Sequence, residues 1–311
     1  MKKFYFFALA LLTTTVVGAQ TVIYSNTFES GAGDATIVGN GAIVDDATPG
    51  FGKVFHNAAG GQAIRANYLL LPADVFADLQ ASAQQAVSIG FWVNKGSAVD
   101  YFWTPLFSAY GAAPINNANT WPMMVLQSRL VAQVNVAGWT DLVDAQNVKG
   151  VNKASTVWLD DNAWHYYTAV FTPTNVKIYV DGVIENEWNI DGVTAGQVVA
   201  GMFTNGSELK YIALGGNQAW NWADPDPAYK FDDVAVYASA LTAEQINAIR
   251  TAKSLSTALP GEVQDQVLVS EEYFNLNGTK ETVKLNELDK GSYIRRAVYS
   301  DGSVKTLKVI K

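Results

Sequence analysis

Carboxylates are the side chains this sequence supplies most freely for chemistry, and their spacing argues against most of it. Asp160-Asp161 and Asp232-Asp233 are adjacent pairs. Neighbours on a strand face opposite sides of a sheet, so neither pair is expected to flank a scissile bond as a glycosidase needs. Glu185 and Glu187 share a face after the turn Asp181-Gly182, but two acids on an edge hairpin are the pattern of a solvated strand that resists aggregation. The chain has two histidines, His56 and His165, and no Gly-x-Ser-x-Gly elbow, so a serine-hydrolase triad has no evident seat. Two isolated histidines do not make a zinc site. The absence of cysteine excludes disulfides, thiol catalysis, cysteine-bound zinc and a lipidated cysteine.

Binding chemistry is better represented. Trp220 and Trp222 stand in Gln218-Ala219-Trp220-Asn221-Trp222-Ala223-Asp224-Pro225-Asp226-Pro227, a polar segment bounded by prolines and without apolar periodicity. A buried Trp normally belongs to a patterned element. Two in such a loop can present ring faces to solvent, where the CH faces of sugars stack, while Asn221 both donates and accepts hydrogen bonds. For each Trp taken singly, a lid over a sandwich edge fits as well. Trp103, Trp121 and Trp139 are weaker candidates in other loops, and Trp92 and Trp164 lie in strand patterns and read as structural.

Charge narrows the partners. Residues 20–261 carry 21 acidic and 11 basic side chains, whereas residues 262–311 carry eight of each at higher density. An acidic main domain argues against nucleic acid and anionic membranes, which need concentrated Lys and Arg. The shift in composition marks a domain boundary.

The elements that must position these residues are strands. Val176, Ile178 and Val180 share one face of a period-2 pattern that ends in Asp181-Gly182, a strong hairpin signal because type I′ turns need positive φ at both central positions. Val87, Ile89, Phe91 and Val93 share a face and predict a half-buried strand. Pro72 to Leu79 predicts a short helix with Pro in its first turn, and residues 104–122 predict a long turn-rich insert. Thr242 with Gln245 forms a capping box for a helix from Ala243 to Ala252. The spacing of glycines between short apolar runs from Tyr24 onward is that of an all-β sandwich.

Four strings then occur in order: Trp164-His165, Lys177-Ile178-Tyr179-Val180-Asp181-Gly182, Leu214-Gly215-Gly216, and Asp232-Asp233-Val234 before Leu241-Thr242-Ala243-Glu244-Gln245-Ile246. Together they resemble the laminin G-like branch of the concanavalin A-like jelly rolls, over roughly Tyr24 to Ile249. The resemblance implies an all-β, two-sheet jelly-roll sandwich, and it implies function far less, since one architecture hosts many activities. Asn26 to Gly31 and Phe231 to Val234 are similar to segments that lie side by side in many carbohydrate-binding jelly rolls. By that resemblance Glu29 and Asp232 would join backbone carbonyls around a structural calcium ion. The Glu-x-Asp-x-x-Glu strand of the glucanase branch is absent.

The flanks complete the organisation. Residues 1–19 have a basic start, an apolar stretch too short to span a bilayer, and small residues before Gln20, which predicts a signal peptide and export to the periplasm, cell surface or medium. The jelly-roll domain is assigned to 20–252, a linker to 253–262, and a small C-terminal β-module to 263–311. That module resembles the sorting domains of type IX secretion in its Tyr273 strand, its Gly291-Ser292-Tyr293-Ile294 strand and its basic last strand, and lacks their usual first half. A stable cap or anchor is the other reading. The expected function is a non-catalytic binder of glycans or a cell-surface ligand through Trp220, Asn221 and Trp222. The alternatives are a glycoside hydrolase of the concanavalin A-like class and a structural or adhesive surface protein.

Overall fold

The computed structural model describes residues 21–58, 66–77, 79, 86–98, 104–111, 122–135, 157–172, 175–189, 203, 209–216, 226–257, 268–275, 279–281, 290–299 and 304–310. It divides into two units, 1–257 and 258–311. The first contains β1 (Val22–Asn26), β2 (Thr36–Val38), β3 (Ala42–Asp45), β4 (Lys53–His56), β5 (Tyr68–Leu71), β6 (Val87–Asn94) and β7 (Pro105–Tyr110). These are followed by β8 (Met123–Gln127), β9 (Ala132–Asn135), β10 (His165–Phe171), β11 (Asn175–Val180), β12 (Val183–Asn189), β13 (Tyr211–Leu214), β14 (Lys230–Tyr237) and helix α1 (Ala243–Thr257).

Two antiparallel sheets face each other. One runs β12-β11-β10-β6-β14-β4-β3 with β1 also paired to β14, and the other runs β2-β5-β13-β7-β8-β9. Phe55, Ile89, Phe91, Tyr167, Phe171, Phe231 and Val236 of the first sheet meet Leu69, Phe107, Met124, Leu126 and Ile212 of the second in one core, the layered solution for two sheets that are each apolar on one face. The first sheet is also covered outside. Trp92, Tyr166, Tyr179, Ala235 and Tyr237 point away from the sandwich and pack with Leu241 and Ile246 of the α1 region. The strand of Val87 is therefore buried on both faces rather than half-buried, because a helix forms a third layer over it.

Local chemistry explains the ends of these elements. Asp181 and Gly182 have φ of 51° and 79°, the type I′ geometry expected, with Val180 opposite Val183. Gly182 also packs closely on α1, since a Cβ there would press on the Asn247 amide and force it to move. The capping box forms in both directions: Thr242 N–H donates to Gln245 Oε1 at 2.9 Å, and Gln245 N–H to Thr242 Oγ1 at 3.3 Å.

Three expectations are corrected. Pro72 to Leu79 makes i→i+3 bonds from Val75, Ala77 and Leu79 rather than an α-helix, a tight 3₁₀-like turn that seats Val75, Phe76 and Leu79 in the core. The stretch from Pro105 to Tyr110 is a fully buried strand, with Pro in the first position where a ladder donor is dispensable; residues 112–121 lie outside the described residues. The terminal helix runs on to Thr257, so the first residues assigned to the linker, including Lys253, belong to it.

The second unit is one sheet, β16-β15-β17-β18, formed by β15 (Leu268–Asn275), β16 (Lys280–Glu281), β17 (Ser292–Tyr299) and β18 (Val304–Ile310). Asn275 N–H bonds to Thr279 C=O at 2.9 Å, closing the predicted hairpin, while β17 and β18 pair antiparallel across the predicted Asp301-Gly302 turn. Asn277, Gly278, Asp301 and Gly302 themselves lie outside the described residues, as does the predicted leader.

Candidate functional site

Antiparallel pairing brings residues from distant parts of the chain to one end of the eight-stranded sheet. His56 ends β4, Asn94 ends β6, Lys230 begins β14, and Asn162-Ala163-Trp164 leads into β10; Lys230 is directly opposite both Asn94 and His56. Two adjoining clefts of about 490 and 430 Å³ open there and share Thr48, Asn94 and Asn162 as their common wall.

The first cleft is polar. Lys230 Nζ lies 2.7 Å from Asp46 Oδ2 across it. Burial works to raise the Asp46 carboxyl, but hydrogen bonds from Lys230 and Thr48 outweigh it and hold the group at about 2. Lys95 Nζ is 2.8 Å from Asp160. The side chains of His56 and Asn162 line the cleft and make no hydrogen bond among the described residues, so they are available to a ligand. Asn162 holds φ at 60°, a conformation that Asn tolerates and β-branched residues do not.

The second cleft has an aromatic wall. Phe51 and Trp164 stack with centroids 4.2 Å apart and planes 11° from parallel, and Trp92 meets Phe51 edge-on at 5.3 Å. Trp164 Nε1 is buried without a hydrogen-bond partner. Arg250 and Lys253 of α1 line this cleft as well, with Asp181. The Asp181 carboxylate faces inward: Oδ2 bonds to His165 Nδ1 at 2.7 Å and Oδ1 accepts from Tyr166 N–H at 2.9 Å. His165 Nε2 reaches Asp161 at 3.0 Å. Burial opposes a charge on His165, but Asp181 and Asp161 outweigh it and raise its pKa. His165 is thus held in place by two carboxylates, a structural role in keeping with its place in a Trp-His strand.

Lys253 explains a departure from strand alternation. The register of β14 against β6 shifts between Asp232 and Ala235, and Asp233 has φ of 45°. This bulge lets Asp232 and Asp233 both reach Lys253 Nζ, at 2.7 and 3.0 Å, so the expectation that they face opposite sides is corrected. They converge on an ammonium, with the Phe51 ring 4.9 Å from it, and neither lines the clefts described above. Asp232 is wholly buried; burial first, then Asp233, pushes its carboxyl up to about 7, with Lys253 pulling the other way.

Glu29 and Asp232 have different partners. Asn26 is engaged in its own turn, Nδ2 to Ala32 C=O at 2.7 Å and Oδ1 from Phe28 N–H at 2.9 Å, and this turn drives Phe28 into the core. Exposed Glu29 accepts from Lys53 N–H at 3.3 Å, its carboxylate lying where only a glycine, Gly52, leaves room. Among the described residues no group of three or more His, Asp or Glu side chains is set to hold a metal. Asp232 is already held by the Lys253 ammonium, so an ion at this position would have to displace that contact.

Trp220, Asn221 and Trp222 lie outside the described residues, but the two ends of their loop are defined. Asn57 Nδ2 contacts the carbonyls of Gly215 at 2.6 Å and Pro227 at 2.9 Å, on either side of the loop. Asp226 Oδ2 accepts from the N–H groups of Ala66 and Asn67 at 2.9 and 2.8 Å. Ala228, next along from Pro227, lines the first cleft. Sequence reasoning missed His56, Asn94 and Asn162 and treated Trp164 as core alone. Their shared signal is position at or next to a strand end, which converges only once strand order is known.

The model of the concanavalin A-like lectin/glucanases superfamily matches residues 65–247. The chain belongs to that superfamily. Its jelly-roll architecture follows, as the four strings implied. Among curated proteins none matches the sequence. Solved structures with similarity include domain 4 of AbnA, a GH43 extracellular arabinanase from Geobacillus stearothermophilus in complex with arabinotriose, at 16% identity over 74% of this chain and 98% of that one, TM-score 0.46. A botulinum neurotoxin type C chain whose cell entry depends on two ganglioside molecules is 14% identical over 84% of this chain and 59% of its own, TM-score 0.45. Trypanosoma rangeli sialidase, with the inhibitor DANA, is 14% identical over 69% of this chain and 28% of its own, TM-score 0.40.

Proposed function

We propose that this protein is an exported, non-catalytic glycan binder whose ligand lies along the paired clefts at the end of the eight-stranded sheet, with the loop of Trp220, Asn221 and Trp222 contributing to the same site. The observation that carries the reading is the pairing of an aromatic wall, Phe51 with Trp164, and uncommitted polar side chains, His56 and Asn162, in adjoining clefts. Sugars need both kinds of surface, ring faces for their CH groups and amides or imidazole for their hydroxyls. Membership of a superfamily of lectins and glucanases supports the ligand class. Against catalysis stands the engagement of the nearby carboxylates: Asp46 with Lys230, Asp181 with His165, and Asp232 and Asp233 with Lys253.

A glycan array on residues 20–311, followed by calorimetry, tests the reading. His56→Ala with Asn162→Ala, and separately Trp220→Ala with Trp222→Ala, are expected to weaken binding with circular dichroism unchanged. One exposed ring contributes on the order of 1 kcal/mol, so affinities should be modest. An array without hits overturns the proposal. Release of reducing sugar moves the protein to the hydrolase class. Calcium at Glu29 and Asp232 is a separate proposal: an ion there displaces Lys253 from Asp232, so its mark is a calcium-dependent rise in melting temperature that Asp232→Ala abolishes.

A further inference from the structure

We infer that the ligand of this site is an uncharged oligosaccharide of at least two units, one seated in each cleft, with the Asn162 side chain at the junction between them; the inference rests on the glycan-binding reading and names its ligand class. The two clefts divide the surfaces that a sugar needs. The polar cleft, with His56, Asn94, Ser97 and Lys230 on its walls, has no Phe, Tyr or Trp among its lining residues. The rings, Phe51, Trp92 and Trp164, all line the other cleft. A single sugar in the polar cleft exchanges hydrogen bonds with water for hydrogen bonds with protein, at small net gain, and makes no ring contact. A single sugar on the aromatic wall stacks but does not reach His56. Either contact alone offsets poorly the loss of translational and rotational freedom on binding. A chain that spans both clefts suffers that loss once and gains both kinds of contact.

The junction falls to Asn162. Thr48, Asn94 and Asn162 are common to both clefts. The Thr48 side chain hydrogen-bonds to Asp46. Asn94 is engaged by the backbone, Oδ1 accepting from Gly96 N–H at 2.7 Å and Nδ2 donating to Asn162 C=O at 3.2 Å. The Asn162 side chain makes no hydrogen bond among the described residues, so of the three only its amide is open to a ligand, with donors and an acceptor to offer. Its surroundings are fixed beforehand. Lys95 holds Asp160 at 2.8 Å, and Asp161 Oδ1 accepts from Ala163 N–H at 2.9 Å and meets His165 Nε2 at 3.0 Å. Little ordering therefore accompanies binding at this residue.

The charged side chains of the clefts point to an uncharged ligand. Lys95, Lys230 and Lys253 each hold a carboxylate at 2.7 or 2.8 Å, and Asp181 holds His165. Arg250 has contacts of its own, Asn247 among them. An acidic sugar would have to draw a cation from its partner and leave a carboxylate, wholly buried in the case of Asp232, without a counter-charge. Hydroxyls ask for no such exchange.

Calorimetry with the cello-, xylo- and manno-oligosaccharide series, each from monosaccharide to hexasaccharide, and with oligogalacturonides as the acidic series, tests the inference. Where the glycan array retains a different glycan, its shorter homologues are titrated in the same way. Monosaccharides should give no saturable heat, and binding should begin at the disaccharide or trisaccharide of at least one neutral series. That series should bind at least about tenfold more tightly than oligogalacturonides of equal length. Asn162→Gly suits the φ of 60° and removes only the amide. It should weaken the bound oligosaccharide about fivefold, the worth of one hydrogen bond, with circular dichroism unchanged. A monosaccharide that binds as tightly as its oligomers overturns the two-cleft ligand and leaves glycan binding intact. Equal affinity in wild type and Asn162→Gly overturns the junction role of that side chain. Oligogalacturonides that match or exceed every neutral series overturn the uncharged class. An array without hits, with all four series silent, overturns the underlying glycan reading instead.

Discussion

Replacing Lys253 by Met should destabilise the main domain, and by an amount that depends on pH. The substitution removes the ammonium that Asp232 and Asp233 share at 2.7 and 3.0 Å. It leaves one wholly buried carboxylate beside another that is partly buried. Removing one partner of a buried ion pair costs about 3–5 kcal/mol when the remaining charge cannot be relieved. Here it can be relieved, because Asp232 already has its carboxyl raised to about 7, and loss of Lys253 raises it further. The folded variant then holds a proton on Asp232 that the unfolded chain releases near pH 4. A raised folded pKa contributes stability that is complete below the unfolded value and is lost as pH rises through the folded value. The cost of the substitution should therefore be small near pH 5 and approach its full size at pH 8. At about 2–4 °C per kcal/mol for a domain of this size, the melting temperature at pH 8 should drop on the order of 10 °C. Differential scanning calorimetry of both proteins at pH 5 and pH 8 reads this directly. An equal drop at both values would refute the role given to Asp232, and no drop at either would show that the pair is not buried in solution.

The remaining outcomes concern other contacts. The raised pKa of His165 contributes stability that is complete below about pH 6.5 and is lost as pH climbs through its folded value, so His165→Gln should flatten that part of the melting curve against pH. Thr242→Ala breaks one half of the capping box and should cost about 1 kcal/mol, seen as a shift in denaturant midpoint without a change in slope. A chain ending at Gly261 keeps α1 entire and should retain the cooperative melt of the main domain; loss of its near-UV signal would place the tail within the same folding unit.

Much of the fold was legible because it rests on local rules. The turn at Asp181-Gly182 needs positive φ that Gly and Asp supply, and the capping box needs Thr and Gln three residues apart; both appear as read. The errors share one cause, the non-local environment. Ser88 looks solvent-facing on a half-buried strand until the segment leading into α1 folds over it, where Ser88 Oγ donates to Ser239 C=O and accepts from Leu241 N–H. The bulge at Asp233 could not be read either, since alternation assumes an unbroken ladder, and it is the bulge that places two carboxylates on Lys253. The candidate site was not legible: Trp164 reads as structural in its strand pattern, and Trp220 and Trp222 lie outside the described residues. His56, Asn94, Asn162 and Lys230 are scattered along the chain, and the order of β4, β14, β6 and β10 is what gathers them.

The paired clefts are proposed to hold a glycan without cleaving it. Its most direct measurement is calorimetric titration of the best array ligand into wild type and into His56→Ala with Asn162→Ala, with reducing ends assayed in the same samples. Expected are saturable binding in wild type, a loss of affinity of at least about fivefold in the variant from two neutral hydrogen bonds, and no new reducing ends. Equal affinity in both proteins would place the ligand elsewhere, and a rise in reducing ends in wild type would contradict a non-catalytic site.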